Sequence, residues 1–334
     1  MRFDLVRQPL IPAFLSLVIL LVLALCHTAS GSFVPDLYCG LPPEELPLPL
    51  FCGVLEQFAH QHTGWAHTLA GFCLFFSAMT IGRMTARFKL YGISTFIAMP
   101  LYMLCMMGVM GCSEWFSAVV GSTLLTLAVK NFCYSFRNGF SFDATFRGGM
   151  YLALLLLVLP KAAPLVPAMP LAMILFRRAT RESLVSMFGF LLPPLVWAYL
   201  NWAVGGSFVA PFRLLYHSFM AGEWLIGVLH FSLIEQLFGG LLLLLNLLSI
   251  LLFLMNSYAL STRSRHTLFY TSYLVVCCVA LLLVPGVKAS VIALLAVPSA
   301  LLLPVLFIRI RSSIAQILYP VLVAASLAAL FLAH

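Results

Sequence analysis

The stretch that decides the fold is FGGLLLLLNLLSILLFLMNSY at residues 238–258, which contains no charged residue. A helix needs about 20 mostly apolar residues to cross the hydrocarbon core of a bilayer. Similar runs recur along the whole chain of 334 residues, of which 63% are apolar and 8% are Asp, Glu, Lys or Arg. An ordinary soluble domain is about 25% charged. The composition therefore excludes a soluble globular protein and predicts a multi-pass membrane protein.

The spacing of the apolar runs predicts an all-α, polytopic transmembrane helical bundle of about 11 spans. We expect a single integral-membrane domain over residues 1–334. The predicted full spans are residues 9–26, 65–81, 93–111, 115–129, 184–204, 238–258, 268–284, 290–307 and 314–333. Two further runs, 148–159 and 165–176, form a short broken pair interrupted by Pro160 and Pro164. The sequence leaves open whether this pair spans the membrane or is re-entrant.

The basic residues give an orientation. Cytoplasmic connections carry an excess of Lys and Arg, and all but three of the 18 Lys and Arg residues fall in alternate connections when the broken pair is counted as two crossings. We therefore predict a bacterial inner (cytoplasmic) membrane protein with its N-terminus inside and its C-terminus outside. The net charge of +8 is explained by topology, and no basic helix or aromatic platform points to a nucleic-acid partner. The first run follows Arg2 and Arg7 as a secretory signal would, but we expect it to be retained as a span, because a polytopic protein needs no separate signal.

Two outer connections are long, at about residues 27–64 and 205–237. The first begins with a Pro-rich extended half, and its second half, residues 50–67, is a candidate interfacial helix. In the second, apolar residues recur at helical spacing over residues 208–219, which favours a helix in the headgroup plane. Cys39 and Cys52 both lie in the first connection, where an oxidising envelope would allow a disulfide between them.

Candidate chemistry is sparse. We find no phosphate-binding Gly loop, paired metal-ligand cysteines or nucleophile elbow, and no cofactor is predicted. Glu56, His60, His62 and His67 are the nearest approach to a metal site, but their spacing matches no standard zinc helix, so no metal is predicted. Asp36 is the candidate catalytic residue, because a carboxylate near the outer interface among apolar neighbours can act as a general base.

The broken pair has a pattern of residues that resembles a known family of membrane proteins. Its residues are Phe146, Arg147, Gly148, Gly149, the run 154–160, Lys161, Pro164, Pro170, Arg177, Arg178, Arg181 and Glu182. An Arg and Gly opening a short apolar helix, a Pro-Lys hinge and a second short helix ending in basic residues resemble the central helix pair of the GT-C glycosyltransferases, which use polyprenyl-phosphate sugars. The chain is also similar, through Arg181, Glu182, Gly189 and Pro193, to an uncharacterised multi-pass inner-membrane family of Bacteroidota.

The GT-C resemblance implies an active site at the outer face, a catalytic acid in the first outer loop and outer basic residues that bind the lipid phosphate. Asp36 occupies that loop, but the paired acids often seen soon after the first span are absent, so a non-catalytic relative stays open. The basic residues left on the outer side are Lys161, Arg213 and Lys288, which we predict to bind lipid phosphate. Snorkelling from a span end is the alternative for Lys161 and Lys288.

The leading hypothesis is a protein that handles a lipid-linked or lipid-like substrate at its outer face, with a GT-C-like glycosyltransferase as the implied enzyme. Its expected partners are membrane lipids, a polyprenyl-phosphate-linked sugar and other envelope membrane proteins. The alternative is a non-catalytic membrane subunit of an envelope assembly, or a transporter.

Overall fold

A computed structural model describes residues 9–30, 51–111, 114–134, 141–220 and 231–332. The regular structure of these residues is helical throughout, with 13 α-helices and no strand. The helices are α1 (Leu10–Ser30), α2 (Phe51–Gln61), α3 (Thr63–Phe88), α4 (Ala98–Met107), α5 (Trp115–Phe132), α6 (Phe142–Val158), α7 (Ala168–Leu175), α8 (Thr180–Ala203), α9 (Ala210–Met220), α10 (Leu233–Met255), α11 (Thr262–Leu281), α12 (Ile292–Arg309) and α13 (Ser312–Leu332).

Six of the described helices are long and apolar enough to cross a membrane: α1, α3, α8, α10, α12 and α13. This agrees with the prediction of an all-α, multi-pass membrane protein. Helices at the periphery of the bundle, such as α1 and α8, keep most of their apolar surface exposed. Only 17% and 22% of their most apolar segments are buried. Such a surface is suited to contact with lipid. The backbone groups need no other partner there, because they are hydrogen-bonded within the helix.

The core of the bundle is formed around α12, whose spanning window is 89% buried. This helix packs against α4, α5, α10 and α11. Helix α4 is also enclosed, because every residue from Ala98 to Met107 is buried. A full span was expected at residues 93–111, but the helix is much shorter. Hydropathy alone cannot separate a short helix enclosed by protein from a span in contact with lipid.

The two ends of the bundle are separated by the length of α11, which has 20 residues and a rise of about 1.5 Å per residue, or roughly 30 Å in all. At its start, Ser264 Oγ donates to the backbone oxygen of Lys89 at 3.4 Å. Beyond its other end, Lys288 pairs with Glu114. We call the first of these the Arg178 end, after the arginine that lies there, and the second the Lys288 end.

The broken pair runs from one end of the bundle to the other and back. It comprises α6, a 3-10 helix at Pro160–Leu165 and α7. Arg178, after α7, donates to Ser141 Oγ just before α6, so the pair starts and finishes at the Arg178 end. Lys161, at its midpoint, donates to the backbone oxygen of Gly286 at the Lys288 end. Its first helix starts at Phe142, six residues before the predicted range 148–159. The extra turns are more polar than the apolar run and are stabilised by an ion pair between Asp143 and Arg147 at 2.9 Å.

Helices α6 and α8 cross closely through two glycines. A Cβ added at Gly149 would lie 2.2 Å from the backbone oxygen of Ser186, and one added at Gly189 would lie 2.2 Å from that of Phe146. Small residues are what allow membrane helices to approach to backbone contact. At the Arg178 end of this crossing, Glu182 Oε1 accepts hydrogen bonds from Ser141 N at 2.5 Å and Ser141 Oγ at 2.7 Å. Gly149, Glu182 and Gly189, which carried part of the resemblance, thus have a packing role.

Both of the long connections that we predicted to be outer contain helices where the sequence predicted them. Helix α2 (Phe51–Gln61) lies within the expected range 50–67. Helix α9 (Ala210–Met220) lies over the amphipathic stretch 208–219. The buried side of α9 is formed by Ala210, Pro211 and Leu214.

Candidate functional site

The carboxylate of Glu114 organises the Lys288 end. Its Oε1 lies 2.6 Å from Lys288 Nζ, and its Oε2 accepts a hydrogen bond from Ser290 Oγ at 3.1 Å. Glu114 immediately precedes α5, whereas Lys288 and Ser290 lie in the connection between α11 and α12. The pair is partly shielded from water, with 22% of the Glu114 side chain and 40% of the Lys288 side chain exposed. It therefore joins two connections at this end.

Lys161 is held by the same connection as Lys288. Its ammonium donates to the backbone oxygen of Pro285 at 3.0 Å and also to that of Gly286. Gly286 has a φ of +57°, a left-handed conformation that glycine adopts without a Cβ penalty. The turn at Gly286 thus presents two carbonyl oxygens to a cation from the broken pair.

A second carboxylate, Glu56 of α2, lies close to the first. Ser117 Oγ donates to Glu56 Oε1 at 2.6 Å, which ties α2 to the first turn of α5. Burial raises the pKa of Glu56 above its ordinary value of 4.5; the hydrogen bond from Ser117 and the charge of Lys288 oppose this rise, while the charge of Glu114 adds to it. A carboxyl that binds its proton more tightly than usual is better suited to accept a proton.

Arg213 occupies the exposed side of α9, beside exposed Phe212 and Tyr216. Helix α9 packs against the 3-10 helix Pro160–Leu165 that carries Lys161, and against α8. The structure thus brings the elements that carry Arg213 and Lys161 together, and it places Lys161 and Lys288 at one end. Lys161 and Lys288 bond to protein groups there, whereas the Arg213 side chain faces outward from the bundle.

Two predictions fall outside the part of the chain that the structure describes. Asp36, the predicted catalytic residue, lies in the undescribed range 31–50, as does Cys39. The general base at Asp36 and the disulfide between Cys39 and Cys52 therefore stay predictions.

The histidines of the candidate metal set do not gather around a common point. His67 Nδ1 lies 2.6 Å from the backbone oxygen of Thr63, and its ring packs against Trp115 with centroids 4.9 Å apart. His60 and His62 are exposed. Among the described residues, no group of three or more His, Cys, Asp or Glu side chains is placed to hold a metal ion.

Glu114 is the residue that the sequence reasoning missed. It carries no motif, although it stands directly before the predicted span 115–129. Lys288 stands directly before another span on the same predicted side. An acid and a base in such positions, at the same depth, are a signal that could have found this pair.

An apolar groove lies between the second half of α1 and the last turn of α13. Its volume is about 640 Å³, and its lining is Val18, Ile19, Val22, Leu23, Cys26, His27 and Phe331. The rings of His27 and Phe331 meet edge to face there, with centroids 4.8 Å apart. Neither Lys161 nor Lys288 lines this groove, so it is separate from the contacts of these two lysines.

Comparisons of the chain with protein-family models, with curated proteins and with solved structures give no match.

Proposed function

We propose that this chain is an integral inner-membrane protein that handles a lipid-linked or lipid-like anionic substrate at the outer face of the membrane, and that the Lys288 end is that outer face. The observation that carries the proposal is the gathering of Lys161, Lys288 and the helix of Arg213 at one end of the bundle. The sequence keeps almost every other basic residue in the opposite set of connections. A substrate that carries phosphate supplies a reason for this exception.

The three cations have different roles in this proposal. Lys161 and Lys288 hold the connections of the Lys288 end together through carbonyl oxygens and Glu114. Arg213 contacts the phosphate, because its planar guanidinium can donate two parallel hydrogen bonds to phosphate oxygens. The neighbouring side chains of Phe212 and Tyr216 are exposed and suit a helix in the headgroup region.

A glycosyltransferase of the GT-C type is the activity that the resemblance implies for such a site. In it Asp36 would deprotonate the hydroxyl of the acceptor, while Arg213 would stabilise the charge that develops on the leaving polyprenyl phosphate. Polyprenyl-phosphate-linked sugar is then the substrate class, and the protein's own carboxylates and cations supply the chemistry.

Binding of polyprenyl phosphate by the purified full-length protein tests this proposal. We expect Arg213→Lys to weaken binding about 10-fold, the equivalent of one charge-assisted hydrogen bond, and Arg213→Ala to weaken it further. Arg311→Ala is the matched control, because Arg311 is an exposed arginine immediately before α13. Equal affinity of the wild type and Arg213→Ala would contradict the proposal.

A second candidate function is a non-catalytic subunit of an envelope assembly. The apolar groove between α1 and α13 favours it, because an open apolar surface with no basic lining residue other than His27 fits a partner helix better than a charged headgroup. Loss of the Arg213 effect in the binding experiment would favour this function.

A further inference from the structure

Three arginines from distant parts of the chain converge at the Arg178 end. Arg87 lies in the last turn of α3, Arg178 lies between α7 and α8, and Arg263 lies in the first turn of α11. We call these residues the arginine cluster. It is at the opposite end of the bundle from Arg213 and Lys288, and none of its members takes part in the function proposed above.

Aromatic rings and backbone oxygens hold the guanidinium groups in place. The Cζ atom of Arg263 lies 3.9 Å from the ring centroid of Phe88, and that of Arg87 lies 5.7 Å from the ring centroid of Tyr134. Arg178 donates to the backbone oxygen of Tyr134 and to Ser141 Oγ. The N–H groups of a guanidinium point outward in its own plane. When the guanidinium lies over the face of an aromatic ring, these N–H groups therefore stay free to bind an anion.

Among the described residues, the ion pairs of the cluster neutralise only part of its positive charge. Neighbouring protein removes part of the water around the exposed Arg263 side chain, which lowers its pKa; the charge of Arg87 lowers the pKa further, and the charge of Arg178 has a smaller effect in the same direction. The carboxylate that pairs with the cluster is Glu182, whose Oε1 lies 3.6 Å from Arg178 Nη1. Glu182 also accepts two hydrogen bonds from Ser141. Within the part of the chain that the structure describes, these three guanidinium groups and the carboxylate paired with them sum to a net charge of +2.

The start of α11 adds to this excess. Its first turn contains no acidic residue, and its sequence begins Thr262, Arg263, Ser264, Arg265. A helix N-terminus carries a partial positive charge, so cations there are unfavourable and an anion is favourable. An arrangement that gathers repelling charges at such a point is stabilised by a bound anion.

We propose that the arginine cluster binds the phosphate group of an anionic membrane lipid in the leaflet at the Arg178 end. The location selects a lipid over a soluble anion, because Arg87 ends a helix long and apolar enough to cross the membrane, and both Arg87 and Arg263 are exposed. Basic pockets between membrane helices bind lipid headgroups in this way. The site is independent of the substrate proposed for the other end.

The experiment is a titration of the purified full-length protein, in a neutral detergent, with dioctanoyl phosphatidylglycerol. We expect saturable binding that is at least about 10-fold tighter than binding of dioctanoyl phosphatidylcholine. This difference corresponds to the free energy of about one charge-assisted hydrogen bond. The double variant Arg87→Gln with Arg263→Gln should lose this preference. The control double variant, Arg147→Gln with Arg311→Gln, removes two cations outside the cluster and should keep it.

Three results would overturn the proposal. The first is a wild-type protein with no preference for the anionic lipid, a result that needs no variant. The second is an equal preference in the cluster variant and the wild type; should the double variant not fold, the single variant Arg263→Gln decides, because this side chain is exposed. The third is displacement of the lipid by an equal concentration of glycerol phosphate, which would identify the ligand as a soluble anion.

Discussion

At the scale of single residues, the two carboxylates of the Lys288 end differ in what stabilises their charge. Glu114 has a lysine ammonium at 2.6 Å. Glu56 accepts a hydrogen bond from the Ser117 hydroxyl at 2.6 Å and its charged form is favoured by the charge of Lys288, but burial together with the charge of Glu114 raises its pKa. Hydrogen bonding to the charged form is a smaller effect here than the loss of water. Glu56 is therefore the described carboxyl at this end that is best suited to take up a proton.

Glu56 makes the stability of the protein depend on pH. Its folded-state pKa lies above the ordinary value of 4.5, so the folded protein binds this proton more tightly than the unfolded chain does. The resulting stabilisation is fully present below pH 4.5 and is lost as the pH rises through the raised folded-state pKa. We expect Glu56→Gln to unfold at a higher temperature than the wild type at about pH 7.5, with a difference that shrinks towards pH 4.5.

Thermal unfolding of the two proteins in the same detergent across this pH range measures the effect. Asp143→Asn is the control, because Asp143 is an exposed acid, with 73% of its side chain accessible, and should not change the pH dependence. A difference in unfolding temperature between Glu56→Gln and the wild type that stays constant or grows as the pH falls from 7.5 to 4.5 would contradict the assignment.

For single residues, the sequence predicted the side of the bundle on which a cation lies but not the groups that it contacts. Counting basic residues per connection placed Lys161 and Lys288 on one side, and the structure brings them to one end. The same count could not give their partners. Glu114 and Lys288 are 174 residues apart, and the carbonyl oxygens that bind Lys161 leave no trace in side-chain composition. These contacts depend on tertiary packing.

At the scale of elements, the crossing of α6 and α8 has the closest backbone approach among the described glycine positions. The atoms that oppose Gly149 and Gly189 are backbone oxygens, which cannot move aside as a flexible side chain can. Glu182 then bonds the start of α6 to the start of α8 through Ser141. We infer that this pair of helices forms a rigid unit, which holds the 3-10 helix of Lys161 in position.

Gly149→Ala should destabilise the protein by about 1–3 kcal/mol, the usual cost of overpacking a well-packed contact. The added Cβ would lie 2.2 Å from the Ser186 oxygen, so α6 and α8 must separate. Gly240→Ala in α10 is the matched control, since a Cβ there meets no atom within 4 Å and alanine favours a helix. Thermal or denaturant unfolding compares the variants, and equal stability of the two would contradict the close crossing.

Elements were predictable to different degrees. Long uninterrupted apolar runs gave α1, α10 and α13, because about 20 such residues have few other uses. The amphipathic pattern gave α9. The run at 93–111 instead forms the short, buried α4, since an apolar sequence is equally suited to protein and to lipid surroundings. The glycine crossing of α6 and α8 could not be deduced, because a glycine in a helix does not reveal its neighbour.

At the scale of the whole molecule, the two ends differ in charge. The Arg178 end holds the arginine cluster and the start of α11, and the Lys288 end holds Glu56, Glu114, Lys161 and Lys288 in mutual contact or electrostatic range. Both proposals need these ends to lie on opposite sides of the membrane. The excess of basic residues predicts that the Arg178 end is cytoplasmic.

Labelling of single cysteines with a membrane-impermeant maleimide tests this central claim most directly. Ser207→Cys marks the Lys288 end and Thr180→Cys marks the Arg178 end; both positions are exposed, and each is introduced singly after the native cysteines have been replaced. In intact spheroplasts we predict labelling of Ser207→Cys at once and of Thr180→Cys only after permeabilisation. The reverse order, or immediate labelling of both, would contradict the account.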